Sequence, residues 1–169
     1  MTPSGHAYWV TGLSSTGKSS VAQALRELLI ERGIAPVVLD GDQLRAALPW
    51  PTGYERDERL ALARFYARLT CAFVEQGHVV ICATVSLFHD VHAWNREHIA
   101  RYVEVWLRAP PTELERRDRT RHVYAPGRPS VVGRDIAPEF PTAPDIIIDN
   151  YGATTPAAAA RRILECSGA

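Results

Sequence analysis

The sequence predicts an α/β fold, a mostly parallel sheet of five strands covered by helices on both faces, in a single domain spanning residues 1–169. Three observations predict it. Apolar runs of strand type alternate along the chain with segments of helical periodicity, the pattern of βαβ units. The run His78–Thr84 is apolar without alternation, as a strand buried on both faces is. The chain has 169 residues, 46% hydrophobic and 22% charged. That length carries one core without disulfides or a structural metal and leaves no room for a second domain.

The elements follow in order. Ala7–Thr11 reads as the first strand. Lys18–Arg32 is a helix with Val21, Leu25, Leu28 and Leu29 on one stripe and Gly33 as its stop. Pro36–Asp40 is the second strand, Glu55–Gln76 a long helix ending at Gly77, and His78–Thr84 the third strand. A helix carrying His89, His92 and His98 comes next, then a fourth strand at Tyr102–Leu107. Pro111–Arg119 is a short helix with proline at its start. Arg121–Pro144, rich in Pro, Gly and Arg, is a long loop. Asp145–Asp149 is the fifth strand and Thr155–Glu165 the last helix. Ligands of such sheets sit at the carboxyl ends of the strands, so the chemistry is expected just after Thr11, Asp40, Thr84 and Leu107.

Composition excludes several classes. Lys plus Arg and Asp plus Glu both number 19. A chain without net positive charge is a poor sequence-independent nucleic-acid binder. The stretch Gln76–His89 lacks Asp, Glu, Lys and Arg but is too short and too polar to span a bilayer. Met1–Tyr8 has no basic segment leading into an apolar one. Cys71, Cys82 and Cys166 lack metal-ligand spacing, and the first two read as buried thiols. A reducing, cytoplasmic setting is the expectation, with no membrane and no nucleic-acid partner.

Gly12-Leu13-Ser14-Ser15-Thr16-Gly17-Lys18-Ser19 matches G-x-x-x-x-G-K-[ST] at every fixed position, between a strand and an amphipathic helix. The glycines let successive N–H groups turn inward at phosphate oxygens, and the helix adds its positive end. The expected nucleotide-binding residues are Gly12, Ser14, Ser15, Thr16, Gly17, Lys18, Ser19 and Ser20. Lys18, the single lysine of the chain, reaches the β- and γ-phosphates, and Ser19 ligates Mg²⁺. ATP and Mg²⁺ are the expected cofactors, and the fold becomes a three-layer P-loop NTPase fold. No N-K-x-D element marks guanine specificity. Asp149, ending an apolar run near the C-terminus, reads as a strand-end cap.

Asp40-Gly41-Asp42-Gln43-Leu44-Arg45 places two carboxylates about a glycine at a strand's carboxyl end, with a guanidinium three residues on. The glycine permits a tight bend that turns both acids to the cleft. One acid accepts or positions the proton of an attacking hydroxyl, and Arg45 holds a substrate anion with its planar fork. Asp42, Lys18 and Asp40 are the catalytic candidates.

Gly12–Ser20, Leu39-Asp40-Gly41-Asp42-x-x-Arg45, Gly53-Tyr54 with Arg59, and Arg117-Asp118 together resemble the adenylylsulfate kinase family, from about Tyr8 to Asn150. The resemblance implies a kinase moving the γ-phosphate of ATP to the 3′-hydroxyl of adenosine 5′-phosphosulfate. It implies Asp42 as the catalytic acid with Asp40 beside it, and Arg45, Tyr54 and Arg59 as substrate-holding positions. Ser86, Leu87 and Phe88 fall in the segment offering backbone groups to the substrate. Arg117 falls where an arginine covers the adenine, a contact suited to a guanidinium. Val132 joins the substrate wall, and homodimers are frequent in the family.

The chain departs from the family pattern where the acceptor is read. The asparagine after the substrate-holding arginine is Leu62, the aromatic expected to stack on the acceptor base is Val131, and the lid lysines are absent. Losing an amide and a ring together weakens recognition by several kcal/mol, at about 1–3 kcal/mol for each contact. A different nucleotide acceptor such as cytidine diphosphoramidate, or a specialised-metabolite hydroxyl, is therefore an alternative. An NTP-hydrolysing switch and a non-catalytic nucleotide binder are alternatives of other classes.

The loop from about 120 to 144 is expected to be a lid. Between Arg108 and Asp135 stand seven arginines and four acids, and a basic mobile loop over a phosphate site excludes water and neutralises charge. Trp94 and Trp106 read as core, and Trp50, framed by Pro49 and Pro51, as loop packing or a lining of the acceptor pocket.

Overall fold

Every residue of strand β1 (His6–Thr11) is buried, and the molecule is built outward from it. The computed structural model describes residues 5–168. Met1–Ser4, half of the segment read for a leader, and Ala169 lie outside the described residues. The elements that follow are α1 (Lys18–Glu31), β2 (Val37–Asp40), α2 (Gly41–Ala47), α3 (Arg56–Glu75), β3 (Val79–Ala83), α4 (His89–His98), β4 (Tyr102–Arg108), α5 (Pro111–Arg117), β5 (Ile146–Asp149) and α6 (Pro156–Ser167). The strands form one five-stranded sheet in the order β2-β3-β1-β4-β5, with parallel pairing throughout.

Side-chain alternation divides the core into two layers. Tyr8, Val10, Ile81, Val105 and Leu107 face α1 and α6, against Val21, Leu25, Leu29 and Ile163. Ala7, Trp9, Leu39, Val80 and Cys82 face α3 and α4, against Ala63, Tyr66, Val74 and Val91. A sheet apolar on both faces needs both helical layers, which is the three-layer arrangement expected from the sequence. No helix of the described residues is long and apolar enough to cross a membrane.

Local signals set the element ends. Glu55 precedes α3, and its N–H donates to the Glu58 carboxylate at 3.1 Å. Thr155 caps α6 through Ala158 N–H at 3.1 Å. Gly33 (φ 79°) follows α1 and Gly77 (φ 90°) follows α3, in the left-handed conformation that suits glycine after a helix.

Three expectations are corrected. Gly41 does not form a bend but opens α2, and its φ is not positive. A Cβ there would stand 3.1 Å from Thr84 Oγ1, so a side chain at this position would require Thr84 to give way. Trp94 and Trp106 are half-buried at the core's margin, stacked on His98 at 4.3 Å and Phe140 at 5.1 Å. The tryptophan fully inside the core is Trp9. Trp50 is 62% exposed and takes no part in the cavity wall described below.

Candidate active site

The carboxyl ends of β1, β2 and β3 converge because β3 pairs with both others, Val10 lying beside Ala83 and Asp40 beside Ala83. The loops leaving them surround a cavity of about 900 Å³, the size of a nucleotide-class site.

The loop after β1 forms one end. Ser15 (φ 65°) and Gly17 (φ 91°) curl it, and Ser14, Ser15, Gly17, Lys18, Ser19 and Ser20 line the cavity. Gly12 and Thr16 do not reach the wall, so their contribution is to shape the loop. A Cβ on Gly12 would meet the Leu107 carbonyl at 2.4 Å. The buried Thr16 hydroxyl donates to the Leu13 carbonyl at 2.8 Å. The Lys18 ammonium donates to the same carbonyl at 2.8 Å. Burial first, and then Arg121, pull its pKa down from 10.5 to about 8.

Asp40 and Asp42 differ in kind. Asp40 is buried and caps α2, its Oδ1 accepting Asp42 N–H at 3.0 Å and Gln43 N–H at 3.3 Å. Its Oδ2 accepts the Ser19 hydroxyl at 2.5 Å. The capping that makes an aspartate a mere helix start thus also fixes a carboxylate beside the loop serine. Asp42, on the first turn of α2, is exposed to the cavity and ion-paired with Arg121.

The opposite wall carries Arg45, Tyr54 and Arg59. Two guanidinium groups lie over the Tyr54 ring, Arg45 at 4.4 Å and Arg59 at 5.2 Å from its centroid. Arg45 is not a free fork. Its Nη1 donates to Thr52 O (3.2 Å), Thr52 Oγ1 (2.6 Å) and Gly53 O (2.8 Å). Arg59 donates from Nε to Tyr54 O at 2.7 Å and from Nη2 to Ser130 O at 3.0 Å. Burial, followed by the nearby Arg45, lowers its pKa.

Ser86, Leu87 and Phe88 form the third side, with buried Leu62, Val131 and Val132 beside them. Ser86 Oγ pairs with Thr84 Oγ1 at 2.8 Å. The Leu87 carbonyl accepts Glu139 N–H at 3.1 Å. The Ser86 carbonyl accepts Phe88 N–H at 3.1 Å, so both carbonyls are committed inside the protein, and the Leu87 N–H is the backbone group of this segment offered to a ligand.

Residues 118–144 contain no helix or named strand, as expected for a lid, and they lie across the cavity. Tyr124 OH donates to the Ser14 carbonyl at 2.9 Å, and Asp118 Oδ2 accepts Tyr124 N–H at 2.7 Å. Ser130 Oγ donates to Glu55 at 2.6 Å. A Cβ on Gly133 would sit 3.1 Å from Leu13, so the lid backbone rests on the loop after β1. The expected pool of lid cations is smaller than the arginine count suggests. Arg108 pairs with Asp149, Arg116 and Arg117 with Glu113, and Arg134 with lid carbonyls. Arg117, Arg121 and Arg128 reach the cavity.

The sequence reading missed Asn150, whose buried Nδ2 donates to the Thr16 carbonyl at 2.7 Å. It directly follows β5 at the carboxyl end, a place the strand-end rule covers. Arg121 was one arginine among seven, with nothing local to single it out.

A parallel sheet with an anion-shaped loop after its central strand, an adjacent capped aspartate and a docked lid is the build of a P-loop kinase of small molecules. The model of the adenylylsulphate kinase family matches residues 4–149, and the chain belongs to that family. Adenylyl-sulfate kinase of Paraburkholderia xenovorans is 37% identical over 150 residues, 86% of this chain and 83% of that one. Cytidine diphosphoramidate kinase of Campylobacter jejuni is 34% identical over 146 residues, 84% of each. The solved APS kinase of Mycobacterium tuberculosis, in complex with AMPPNP and APS, superposes with a TM-score of 0.88 at 29% identity and covers 99% of both chains. The protein is a phosphotransferase with an alcohol group as acceptor.

Proposed function

We propose that the chain transfers the γ-phosphate of ATP to a hydroxyl, the 3′-hydroxyl, of adenosine 5′-phosphosulfate or a related nucleotide. The observation that carries this reading is the junction of the two half-sites. Ser19 and Asp40 meet at 2.5 Å at the phosphate end, and Asp42 stands two residues on, facing the same cavity.

The loop 12–20 takes the triphosphate, with Lys18 transferred from the Leu13 carbonyl to the phosphates and Arg117 against the nucleotide. Two hard oxygens, Ser19 Oγ and Asp40 Oδ2, suit Mg²⁺, which takes few protein ligands and keeps several waters. Ser19 would hold the ion, with Asp40 directly or through water; when bound it neutralises the phosphate charge. Arg45, Tyr54 and Arg59 hold the acceptor's anionic end, while the segment 86–88 and Val132 contact its remainder. The acceptor oxygen attacks phosphorus, its proton passes to the Asp42 carboxylate, the bond to the ADP oxygen breaks, and Arg121 leaves Asp42 for the transferring phosphoryl group.

Leu62 and Val131 form an apolar wall that supplies neither an amide nor a stacking ring for adenine, and with a cytidine diphosphoramidate kinase among the relatives, cytidine diphosphoramidate is the second acceptor. A specialised-metabolite hydroxyl is the third candidate. The deciding experiment measures ADP release with each acceptor and locates the new phosphate by ³¹P NMR. Acceptor-dependent ADP formation with one nucleotide is expected. ADP released at the same rate with and without acceptors would place the chain among NTP-hydrolysing switches and overturn the proposal.

A further inference from the structure

Behind the Ser86–Phe88 wall lies a buried polar line that the proposed transfer does not use. His92 is 6% exposed and Glu104 is 2% exposed. His92 Nε2 lies 2.9 Å from the Ser86 carbonyl oxygen. A carbonyl only accepts, so the Nε2 proton is present and donated. His92 Nδ1 faces Glu104 Oε1 at 3.7 Å. Glu104 is held in turn by Tyr102 OH at 3.0 Å and Arg96 at 3.4 Å, and Arg96 continues to Asp145 at 3.2 Å. His89 and Glu139 are the other ionisable groups acting on the ring. Nε2 carries its proton in both charge states of the imidazole, so acidification leaves the bond to Ser86 intact.

We infer that His92 is a positioning residue, which by holding the Ser86 carbonyl aims the Leu87 N–H at the acceptor. The physical link is the planar trans peptide, whose C=O and N–H point in opposite directions. A carbonyl pulled toward α4 sends the next N–H away from α4, and Leu87, which carries that N–H, lines the cavity. Phe88 N–H also reaches the Ser86 carbonyl, at 3.1 Å, but it belongs to the same turn and moves with it. His92 is the anchor from outside the turn.

This inference rests on the reading that the 86–88 segment touches the acceptor, so its test has a readout that does not need turnover. Glutamine places its amide nitrogen about where Nε2 sits, and asparagine about where Nδ1 sits. His92→Gln is therefore expected to keep the acceptor KM within about threefold of the parent. His92→Asn is expected to raise it about tenfold or more, on the usual cost of a misplaced contact, with ATP KM steady in both. Hydrogen exchange at the Leu87 amide is expected to quicken in His92→Asn and not in His92→Gln. Equal acceptor KM and equal exchange in the two variants, or an ATP KM rising in step, would overturn the inference. Where His92→Asn does not fold, His92→Phe keeps a ring in the same space without a donor for the Ser86 carbonyl. Faster Leu87 exchange supports the line in that variant, and unchanged exchange overturns it. Adenosine 5′-phosphosulfate is the acceptor used, with cytidine diphosphoramidate as the second. If the parent protein turns over neither, the functional reading fails while the exchange data still decide the role of His92.

Discussion

Asp42 and Lys18 are the residues on which the chemistry turns, and each makes a separate prediction. Asp42→Asn keeps the size and the α2 turn but removes the proton acceptor. It should lower kcat by at least about 10² while ATP affinity stays nearly constant, measured by steady-state kinetics and nucleotide titration. Lys18, held at about 8 by burial and Arg121, is charged below that pH and increasingly neutral above it. ATP affinity should therefore be highest below pH 8 and fall as pH rises through it, whereas Lys18→Arg should be flat over the same range. The stability contribution has the opposite sign. Below about 8 the buried charged lysine costs stability, and between about 8 and 10.5, where the unfolded chain still binds the proton and the nucleotide-free fold does not, that cost is progressively relieved. Because Lys18 is the single lysine, the rate of ε-amino modification against pH reads its titration directly. These two residues were legible from spacing alone, since strand, loop and helix fix where each must stand. The pairing of Asp42 with Arg121 was not, because it joins positions 79 apart through a loop with no periodicity.

At the scale of elements, the lid and α2 behave differently from simple expectation. The lid is docked by one hydrogen bond to the loop after β1, by Arg59 and Glu55 on the α3 side, and by the Arg121 pair. Tyr124→Phe removes the bond to Ser14 and should weaken docking by about 1 kcal/mol. Amide exchange across 121–137 should then rise about fivefold, with the sheet unaffected. Unchanged exchange would mean the lid is held by the other contacts alone. Gly12→Ala, by contrast, drives a methyl into the Leu107 backbone and should lose nucleotide binding as well as stability, seen in paired titration and melting experiments. Apart from α2, whose start was read as a bend, helices and strands were readable to within a residue or two because hydrophobic period and caps are local. The close approach at Gly41, the commitment of lid arginines to lid carbonyls, and the edge positions of Trp94 and Trp106 depend on what the chain meets from elsewhere.

Across the whole molecule, strand order is what joins the parts. Alternating strands and helices predicted a parallel sheet, but the sequence did not state that β3 would lie between β2 and β1. That placement puts Asp40, Thr84 and the loop after β1 within one cavity. The family resemblance carried the site assignment further than residue patterns alone, and it is weakest at Leu62 and Val131, where this chain differs. A buried amide completes the assembly: Asn150 braces the Thr16 carbonyl from the far end of the chain. Asn150→Ala leaves that carbonyl without its partner and should cost about 1–3 kcal/mol, lowering Tm by several degrees, with ATP affinity falling alongside. The same brace sets a timetable for biosynthesis. A nascent chain emerging from the ribosome displays its glycine-rich loop early, yet that loop lacks this support until residue 150 has followed, so firm nucleotide capture waits for the fifth strand to join the sheet.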